Sequence, residues 1–394
     1  MPEQGGIAIP DEIAAFNDEI VAIRHDLHRH PELGFEEVRT AGIVAAKLAE
    51  WGIEVHRGVG RTGVVGVLRA GNGGNRSVGL RADMDALPLH EETGLPFASE
   101  SAGRFHGCGH DGHTAILLAA ARYLAATRQF DGTVVFVFQP AEEGLGGARA
   151  MIDDGLFGRF PVDEIYGLHN STITPHGHVH VSPGPVQAGA DFFDIIVRGS
   201  GGHAAHPHAA RDPIVASAGL ITALQGIISR HTPPREAAVL SVTAINSNTA
   251  YNIIPETVHL RGTVRTLDGA LKKRIAQRIR AVAEGVALAH DVRVEVDIRD
   301  AVTPLVNAAE QADAVAAAAR AVVGDANVST DWRPSMGSED FSEYLTHVPG
   351  AFFSLGHHGD IPLHSPRFVL DDGILPVGAA LFARLVQDRL PPEA

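Results

Sequence analysis

Residues 113–126, HTAILLAAARYLAA, and residues 133–138, TVVFVF, are the stretch that decides the fold class. The first segment is apolar and of helical length. The second is a short β-branched and aromatic run, typical of a strand that is buried on both faces. A helix followed directly by such a strand favours an α/β layered domain. We therefore predict a mostly parallel sheet that is covered by helices.

The segments on either side fit the same architecture. We predict a helix over 12–27, strands over 63–68, 78–83 and 164–168, and a last helix over 375–390. Domains of this kind place their ligand sites at the carboxyl ends of the strands. Metal-binding residue types fall just there, namely Asp83, Asp85, Glu142, Glu143 and His169. We expect a functional site at this edge of the sheet.

A second, smaller domain is predicted inside the first, because 394 residues exceed one ordinary core. The prolines and the glycine within residues 182–185 are typical of a domain boundary and mark its start. The order strand, helix, strand, strand, helix, strand is that of a ferredoxin-like α+β unit. The predicted limits are 1–187 for the first part of the layered domain, 188–301 for the insertion, and 302–394 for the second part of the layered domain.

The composition excludes several classes of protein. A hydrophobic content of 45% with 20% charged residues predicts a globular chain. The net charge of -15 argues against nucleic acid or an anionic membrane as a partner. One cysteine cannot form an internal disulfide, residues 1–18 lack the pattern of a secretory signal, and no apolar run reaches membrane-spanning length. These observations predict a cytoplasmic protein.

Residues 108–113, CGHDGH, collect the ligand types of a metal site. A lone cysteine is most often a small buried apolar residue. Here, however, glycines flank Cys108 and histidines follow it at short spacing. Thiolate, imidazole and carboxylate are the ligands that hold zinc or manganese. We predict that Cys108 and His110 bind metal, and that His113 has a structural or ligand-orienting role.

The other candidate ligands lie far apart in the sequence. Glu142 and Glu143 follow the strand at 133–138, where a charged pair usually lies in a solvated loop. Two adjacent glutamates can instead divide the tasks of metal ligand and proton acceptor. His169 and His364 are unremarkable alone in a chain with 22 histidines. They become candidates only in combination with the other ligand types.

Two further groups of polar residues have simple structural explanations. Asp83 and Asp85 can end a strand, or they can fix the tautomer of a ligating histidine. His25, His28 and His30 lie near the end of the first predicted helix. A solvated helix end accounts for these histidines without a functional role.

The inserted domain has its own candidates. Residues 201–208, GGHAAHPH, form either a glycine-rich turn or a loop whose His203 stabilises a tetrahedral oxyanion. Arg265 suits a substrate carboxylate, which a guanidinium grips with two parallel hydrogen bonds. Asn252 is the third candidate. On spacing alone, a structural role explains these three residues equally well.

Together the segments resemble the dinuclear metal-dependent amidohydrolases, which include hippurate hydrolase, bacterial N-acyl-amino-acid aminoacylases and plant indole-acetyl-amino-acid hydrolases. The matching segments run over nearly the whole chain in family order: 27–34, 81–88, 107–114, 139–144, 167–169, 201–208, 252–256, 336–342 and 363–366. Gly107, where alanine is more usual, and residues 371–373, DDG, depart from the family pattern. Neither departure touches a proposed ligand.

The resemblance implies a pair of divalent metal ions per subunit, Mn²⁺ or Zn²⁺ with Co²⁺ or Ni²⁺ as alternatives. The Cys108 thiolate would bridge the two ions. His110 and His169 would complete one site, and Glu143 and His364 would complete the other.

The resemblance also implies roles for the remaining candidates. Glu142 would be the general base and then the general acid, with Asp85 behind the site. The inserted domain would be a lid that forms a homodimer or homotetramer. Its His203 would complete the active site of its own or the partner subunit, and Asn252 and Arg265 would hold the substrate.

These expectations combine into one hypothesis. Metal-activated water, deprotonated by Glu142, attacks the amide carbonyl of an N-acyl amino acid, a small-molecule substrate. An alternative within the class is a biosynthetic N-acetyl-diaminopimelate deacetylase. An alternative from another class is a non-catalytic binding protein on the same fold, which would be expected to have lost part of the ligand set that this chain retains.

Overall fold

The computed structural model describes residues 7–72, 74–247, 250–331 and 333–392. The chain divides into two compact units. Unit 1 comprises Met1–Gly184, Val306–Arg333 and Asp340–Ala394, and unit 2 comprises Pro185–Leu305 and Pro334–Glu339. The domain limits at 187/188 and 301/302 remain a prediction. The two units divide at 184/185 and 305/306, and residues 334–339, which were expected in the layered domain, belong to unit 2.

Helices and strands occur throughout the described residues. The helices are α1 Asp11–Arg29, α2 Val38–Glu50, α3 His110–Thr127, α4 Gly147–Asp153, α5 Leu156–Arg159, α6 Pro213–His231, α7 Gly269–His290, α8 Ala309–Val323, α9 Phe341–Tyr344 and α10 Leu375–Arg389. The strands are β1 Glu54–Val59, β2 Gly63–Ala70, β3 Ser77–Asp83, β4 Gly132–Gln139, β5 Glu164–Ser171, β6 Val179–His180, β7 Gly184–Gln187, β8 Gly189–Arg198, β9 Gly202–His203, β10 Ala238–Asn246, β11 Ile253–Ile254, β12 Thr257–Thr266, β13 Arg293–Val302, β14 Leu305–Asn307, β15 Val328–Ser329 and β16 Gly350–Gly356.

The sheet of unit 1 has the strand order β1-β2-β4-β3-β5-β16-β6-β15. Its four central strands, β4, β3, β5 and β16, are parallel to their neighbours in this group. Residues 134–138 of β4 are all buried, as expected for a strand with both faces covered. The predicted α/β class with a mostly parallel sheet is confirmed.

Helix α3 lies in the core of unit 1, in contact with α1 and α10. Most of its residues are buried on all sides, which is typical of a central helix. The helix begins at His110, three residues before the predicted start at His113. The reason is Gly109, whose φ of 95° lies in the left-handed region and lets the chain turn directly into the helix.

Strand β5 is longer than its predicted range of 164–168 and contains His169. Pairing with β16 extends it, because Ser354 lies opposite His169 and Gly356 lies opposite Ser171. The sequence analysis did not identify β16 or α2. The sequence does contain the signal for β16, a short and mostly apolar run between two glycines, which is typical of a buried strand.

Unit 2 contains a four-stranded antiparallel sheet in the order β10-β12-β8-β13. With α6 after β8 and α7 after β12, this is the ferredoxin-like arrangement that the sequence predicts. Asp212 caps α6 by accepting hydrogen bonds from the amides of Ile214 and Val215, with proline at the first helical position. Asp268 caps α7 through the amide of Leu271.

Among the described residues, α6 is the one helix with the length and hydropathy of a membrane-crossing segment. Thr222, Gln225 and Ser229 interrupt its apolar residues, so the sequence has no continuous apolar run of this length here. One side of the helix, with Leu220 and Leu224, packs into the core of unit 2. The opposite side of the helix is exposed, including Ile214 and Val215, so α6 packs on the sheet of unit 2 by one face.

Candidate metal centre

Cys108 lies where two groups of candidate ligands meet. Its Sγ atom is 3.5 Å from Nε2 of His169 and 3.4 Å from Nε2 of His364. One group joins Cys108 to His110 and His169, and the other joins it to Glu143 and His364, with the ligand atoms of each group within 4.8 Å of one another. The structure therefore brings together the five residues that were predicted as metal ligands.

Burial makes a thiolate at Cys108 costly unless a cation is nearby. The side chain is almost fully buried, and this burial raises the pKa of the thiol to about 12, although His110 acts in the opposite direction. A cation beside the sulfur would reverse the balance and stabilise the thiolate. The environment of this sulfur fits a metal ligand.

His110 has one ring nitrogen engaged and one available. Its Nδ1 atom is 3.3 Å from Oδ1 of Asp85, so a proton on Nδ1 leaves the lone pair on Nε2. Nε2 is buried and makes no hydrogen bond among the described residues, although Oδ2 of Asp83 lies 3.8 Å away. Burial alone would lower the pKa of His110, but the nearby carboxylate of Asp83 helps to raise it well above its usual range. A buried ring nitrogen without a partner is costly, and a metal ion would satisfy it. This is the observation that most directly favours a metal at this position.

His169 has the same arrangement with a different partner. Its Nδ1 atom donates to the backbone oxygen of Asn170 at 2.8 Å, and its Nε2 atom faces Cys108. Burial, followed by the neighbouring His113, holds the pKa of His169 well below its usual range. The ring is therefore neutral at neutral pH, as a metal ligand must be.

His364 adopts a strained backbone conformation. Its φ is 64°, in the left-handed region that non-glycine residues seldom occupy. The amide of His364 donates to the backbone oxygen of Gly107 at 2.8 Å, which ties its loop to the segment of Cys108. Its Nε2 atom also lies 3.3 Å from Oε1 of Glu143. Strain of this kind is common where a side chain must be aimed at a site.

Glu142 lies beside these ligands. Its carboxylate, that of Glu143 and the ring of His110 have ligand atoms within 4.8 Å of one another. Glu142 is half-buried, so water can reach it. The side chain of Glu143 is only 19% exposed, and its Oε1 atom is buried without a hydrogen-bond partner among the described residues. Asp85 helps to fix this part of the site, because its Oδ2 atom accepts the amide of Glu143 at 3.0 Å.

A third group of candidate ligands, Asp83, His110 and His113, is better explained without a metal. His113 uses Nδ1 for Asp83, at 2.7 Å, and Nε2 for Asn170. Arg81 also donates to Asp83 at 2.8 Å. Because Asp83 and His113 satisfy each other, they support the metal centre from behind rather than bind to it.

The other three predicted residues, His203, Asn252 and Arg265, lie in unit 2. His203 is on β9, which pairs with β11, and the amide of Ala204 donates to the backbone oxygen of Asn252 at 2.9 Å. His203 and Asn252 line a groove of about 780 Å³. Arg265 lies on β12 and is not among the residues that line this groove.

Arg265 is half-buried and donates to the hydroxyl of Ser338. Burial lowers the pKa of its guanidinium. It has no carboxylate partner among the described residues of the chain. A guanidinium in this state is well suited to an anionic ligand.

The sequence analysis missed a buried cluster behind the metal centre. Arg24 and His28 are on α1, and the side chain of Asp111 accepts Nε of Arg24 and Nδ1 of His28, both at 2.8 Å. The expectation of a solvated helix end is wrong for His28, which is fully buried. Ile20, Ile23, Arg24, Leu27 and His28 follow helical spacing, so the pattern itself places Arg24 and His28 on the buried stripe.

His28 carries a positive charge more readily than an ordinary histidine. Burial alone would lower its pKa, but the carboxylate of Asp111 outweighs burial and raises it. Its second ring nitrogen faces Glu91 at 3.3 Å. The cluster therefore anchors Asp111, the residue that follows His110 on α3, to the first helix of the chain.

Comparison with known proteins places these features in a family. The sequence model of peptidase family M20/M25/M40 matches residues 79–388. Hippurate hydrolase of Campylobacter jejuni is 43% identical over 375 residues, which cover 95% of this chain and 97% of the relative. N-acetyldiaminopimelate deacetylase of Leuconostoc mesenteroides is 37% identical over 373 residues, covering 91% and 94%.

A similar solved structure is a dinuclear metal-binding peptidase of the M20 family from Bacillus subtilis. It is 34% identical in sequence, with a TM-score of 0.84, and the match covers 96% of this chain and all of that chain, 100%. The similarity extends over both units of the chain.

Proposed function

The chain belongs to peptidase family M20/M25/M40 and is a metal-dependent amide hydrolase, and from this we propose that it hydrolyses the amide bond of N-acyl amino acids. The products are a carboxylate and a free amino acid. The observation that carries the proposal is the sharing of Cys108 between two groups of ligands, with Glu142 beside them. A non-catalytic binding protein would have no use for this complete set.

In the proposed centre, Cys108, His110 and His169 would hold one divalent ion, and Cys108, Glu143 and His364 would hold the other. We favour manganese or zinc, with cobalt or nickel as alternatives, because thiolate, imidazole and carboxylate donors suit these ions. When bound there, divalent ions would supply Lewis acidity and make water a better nucleophile at neutral pH. Asp85 keeps Nδ1 of His110 protonated and so directs the Nε2 lone pair into the centre.

Glu142 is the proposed proton carrier. Its carboxylate accepts a proton from the attacking water and returns it to the nitrogen of the leaving amine. Its position beside His110 and Glu143, and its partial exposure, support this role.

Unit 2 is proposed to supply substrate recognition. Arg265, which lacks a carboxylate partner among the described residues, would grip the carboxylate of the substrate. Asn252 would help to hold the substrate, and His203 would donate a hydrogen bond to the developing oxyanion. His203 and Asn252 are both exposed and line one groove, which supports their proposed roles.

We also propose that unit 2 associates with a second copy of itself, giving a homodimer or homotetramer. Strand β10 is at the edge of its sheet, where its outer hydrogen-bonding groups invite another strand. The outer side of α6 has small residues next to Val215, which is 55% exposed. A cytoplasmic location is proposed on the basis of the sequence, as before.

A substrate panel tests the proposed activity. Chelator-treated protein would be reloaded with each of the four metals and offered hippurate, N-acetyl amino acids and N-acetyl-diaminopimelate. We expect metal-dependent release of the amino acid and its abolition in Glu142→Gln. Inactivity on every compound with every metal would contradict the proposal, and a strong preference for N-acetyl-diaminopimelate would establish the biosynthetic alternative.

A further inference from the structure

The segment between α1 and α2, residues 30–37, lies against the turn that carries Glu142. Gly34 packs so closely on this turn that an added Cβ atom would meet the Cα atom of Ala141 at 3.0 Å. Glu37, at the end of the segment, is fully buried. The metal ligands do not explain the burial of Glu37, which lies outside the matching segment 27–34.

The side chain of Glu37 is committed to two distant partners. Its Oε1 atom accepts the amide of Ala141 at 2.8 Å, and its Oε2 atom accepts the hydroxyl of Thr62 at 2.5 Å. Glu37 precedes the first residue of α2, but its side chain does not cap that helix. Glu32 binds the amides of the first helical turn instead, at Arg39 and Thr40. Helix capping therefore does not explain the buried carboxyl of Glu37.

Ala141 needs such support. Its φ is 52°, in the left-handed region, and its side chain is fully buried. Non-glycine residues hold this conformation only when their surroundings enforce it. The oxygen of Ala141 accepts the amide of Gly147 at 3.0 Å, which closes the turn. The amide of the same residue is held by Glu37.

Two buried carboxylates thus hold the residues on either side of Glu142. Glu37 holds the amide of Ala141, and Asp85 holds the amide of Glu143. We propose that Glu37 is a positioning residue, which fixes the left-handed turn at Ala141 and thereby aims Glu142 at the reacting atoms. This inference rests on the proposed function, in which Glu142 carries the proton.

The interaction needs an acceptor oxygen and does not need a negative charge. Burial, together with the charge of Asp85, raises the pKa of Glu37. The amide oxygen of a glutamine has the same reach and can accept the amide of Ala141, while its nitrogen donates to Thr62. Alanine removes the acceptor, and aspartate is one methylene too short to reach. A comparison of the three replacements distinguishes the loss of the hydrogen bond from the loss of negative charge and from a change in side-chain size.

The test compares Glu37→Ala, Glu37→Asp and Glu37→Gln in the metal-loaded protein. We expect alanine and aspartate to lower kcat by about 10- to 100-fold, with KM nearly unchanged, since supporting residues of metal centres have effects of this size. Glutamine should restore kcat to within a few-fold of the wild type. Hydrogen-deuterium exchange of the segment 139–147 should become faster in the alanine and aspartate variants, and not in the glutamine variant.

Two control variants distinguish positioning from general damage. Glu36→Ala changes the exposed neighbour and should leave kcat unchanged. Val44→Ala creates a cavity on the buried side of α2 and should lower the melting temperature without changing kcat or the exchange of 139–147. If Glu37→Ala does not fold, the aspartate and glutamine variants carry the same comparison.

Several outcomes would overturn the inference. They are an unchanged kcat in folded Glu37→Ala or Glu37→Asp, unchanged exchange of 139–147, or a glutamine variant as impaired as alanine. Glu142→Gln in the same series separates the two proposals. If this variant is inactive while Glu37→Ala is fully active, only the positioning role fails, whereas full activity of Glu142→Gln refutes the proposed mechanism itself.

Discussion

The Nε2 atom of His364 lies 3.4 Å from the Sγ atom of Cys108, although the two residues are 256 positions apart in the chain. A second contact supports the first, because the amide of His364 donates to the oxygen of Gly107, next to Cys108. The loop of His364 is thus fixed to the segment of Cys108 by its backbone as well as by its side chain. This convergence joins the N-terminal and C-terminal parts of unit 1 at the candidate metal centre.

Asp85 links the two halves of that centre, and its replacement should weaken both. In Asp85→Asn, one oxygen remains to accept either Nδ1 of His110 or the amide of Glu143, and the new amide nitrogen cannot accept the other. We expect kcat and metal affinity to fall by about 10- to 100-fold. Metal titration and steady-state kinetics measure these two effects. Unchanged values for both would show that Asp85 does not orient the ligands.

Arg265 is expected to recognise the charge of the substrate. Arg265→Ala should raise KM for N-acyl amino acids by about 10- to 100-fold, the loss expected for hydrogen bonds to a charged group. The corresponding neutral substrates, in which the carboxylate is an amide, should be much less affected. Arg261→Ala is a matched control on the same strand, because Arg261 is exposed and lies 3.3 Å from Asp194. Equal losses for charged and neutral substrates would contradict this role.

The buried pair of Arg24 and Asp111 should be important for stability. Arg24→Leu leaves the carboxylate of Asp111 buried without its guanidinium partner. We expect the free energy of unfolding to fall by about 3–5 kcal/mol, as for other broken buried pairs. Arg29→Leu, on the same helix but partly exposed and 3.4 Å from Glu100, should change it by less than about 0.5 kcal/mol. Urea unfolding measures the free energy of unfolding of the two variants. Equal losses in both variants would refute the stabilising role of the pair of Arg24 and Asp111.

The pair of Glu164 and Arg389 should make stability depend on pH in the acid range. Burial alone would raise the pKa of Glu164, but the hydrogen bonds from Arg389, both 2.7 Å long, outweigh it and lower the pKa. A lowered carboxyl pKa stabilises the fold above the unfolded-state value, near about 4.3, and this contribution is lost as the pH falls through the folded-state value.

At neutral pH, the free energy of unfolding of Arg389→Met should therefore be lower than that of the wild type by roughly 1.5–3 kcal/mol. The two free energies should converge in acid, where Glu164 is protonated. Arg384→Met is the control on the same helix, because Arg384 pairs with Asp388 at the surface. Thermal denaturation as a function of pH measures the difference. A difference that stays constant down to strongly acidic pH would contradict the proposed linkage.

The parts of the fold that local pattern determines were predictable. Apolar runs such as that of β4 identify their elements without reference to the rest of the chain. The ligand residues were found because thiolate, imidazole and carboxylate occur together at predicted strand ends. Their roles still depend on the resemblance to a family.

The parts that were missed depend on contacts between distant segments. His28 was expected to be solvated, although helical spacing already places it on the buried stripe of α1. Its partners Asp111 and Glu91 come from distant segments, and the sequence does not identify them. Glu37 is one of 47 acidic residues and is distinguished only by its bond to Ala141, which is 104 positions away. The early start of α3 at His110 depends on the left-handed conformation of Gly109, which the sequence allows but does not require.

The central claim is that Cys108 bridges two metal sites, and calorimetric titration of metal-free protein with manganese or zinc tests it most directly. We predict two ions bound per chain in the wild type. Because both sites share the sulfur, Cys108→Ala should weaken both binding events, whereas His169→Ala should weaken mainly one. A single ion per chain in the wild type, or two ions bound with unchanged affinity in Cys108→Ala, would contradict the bridging role of Cys108.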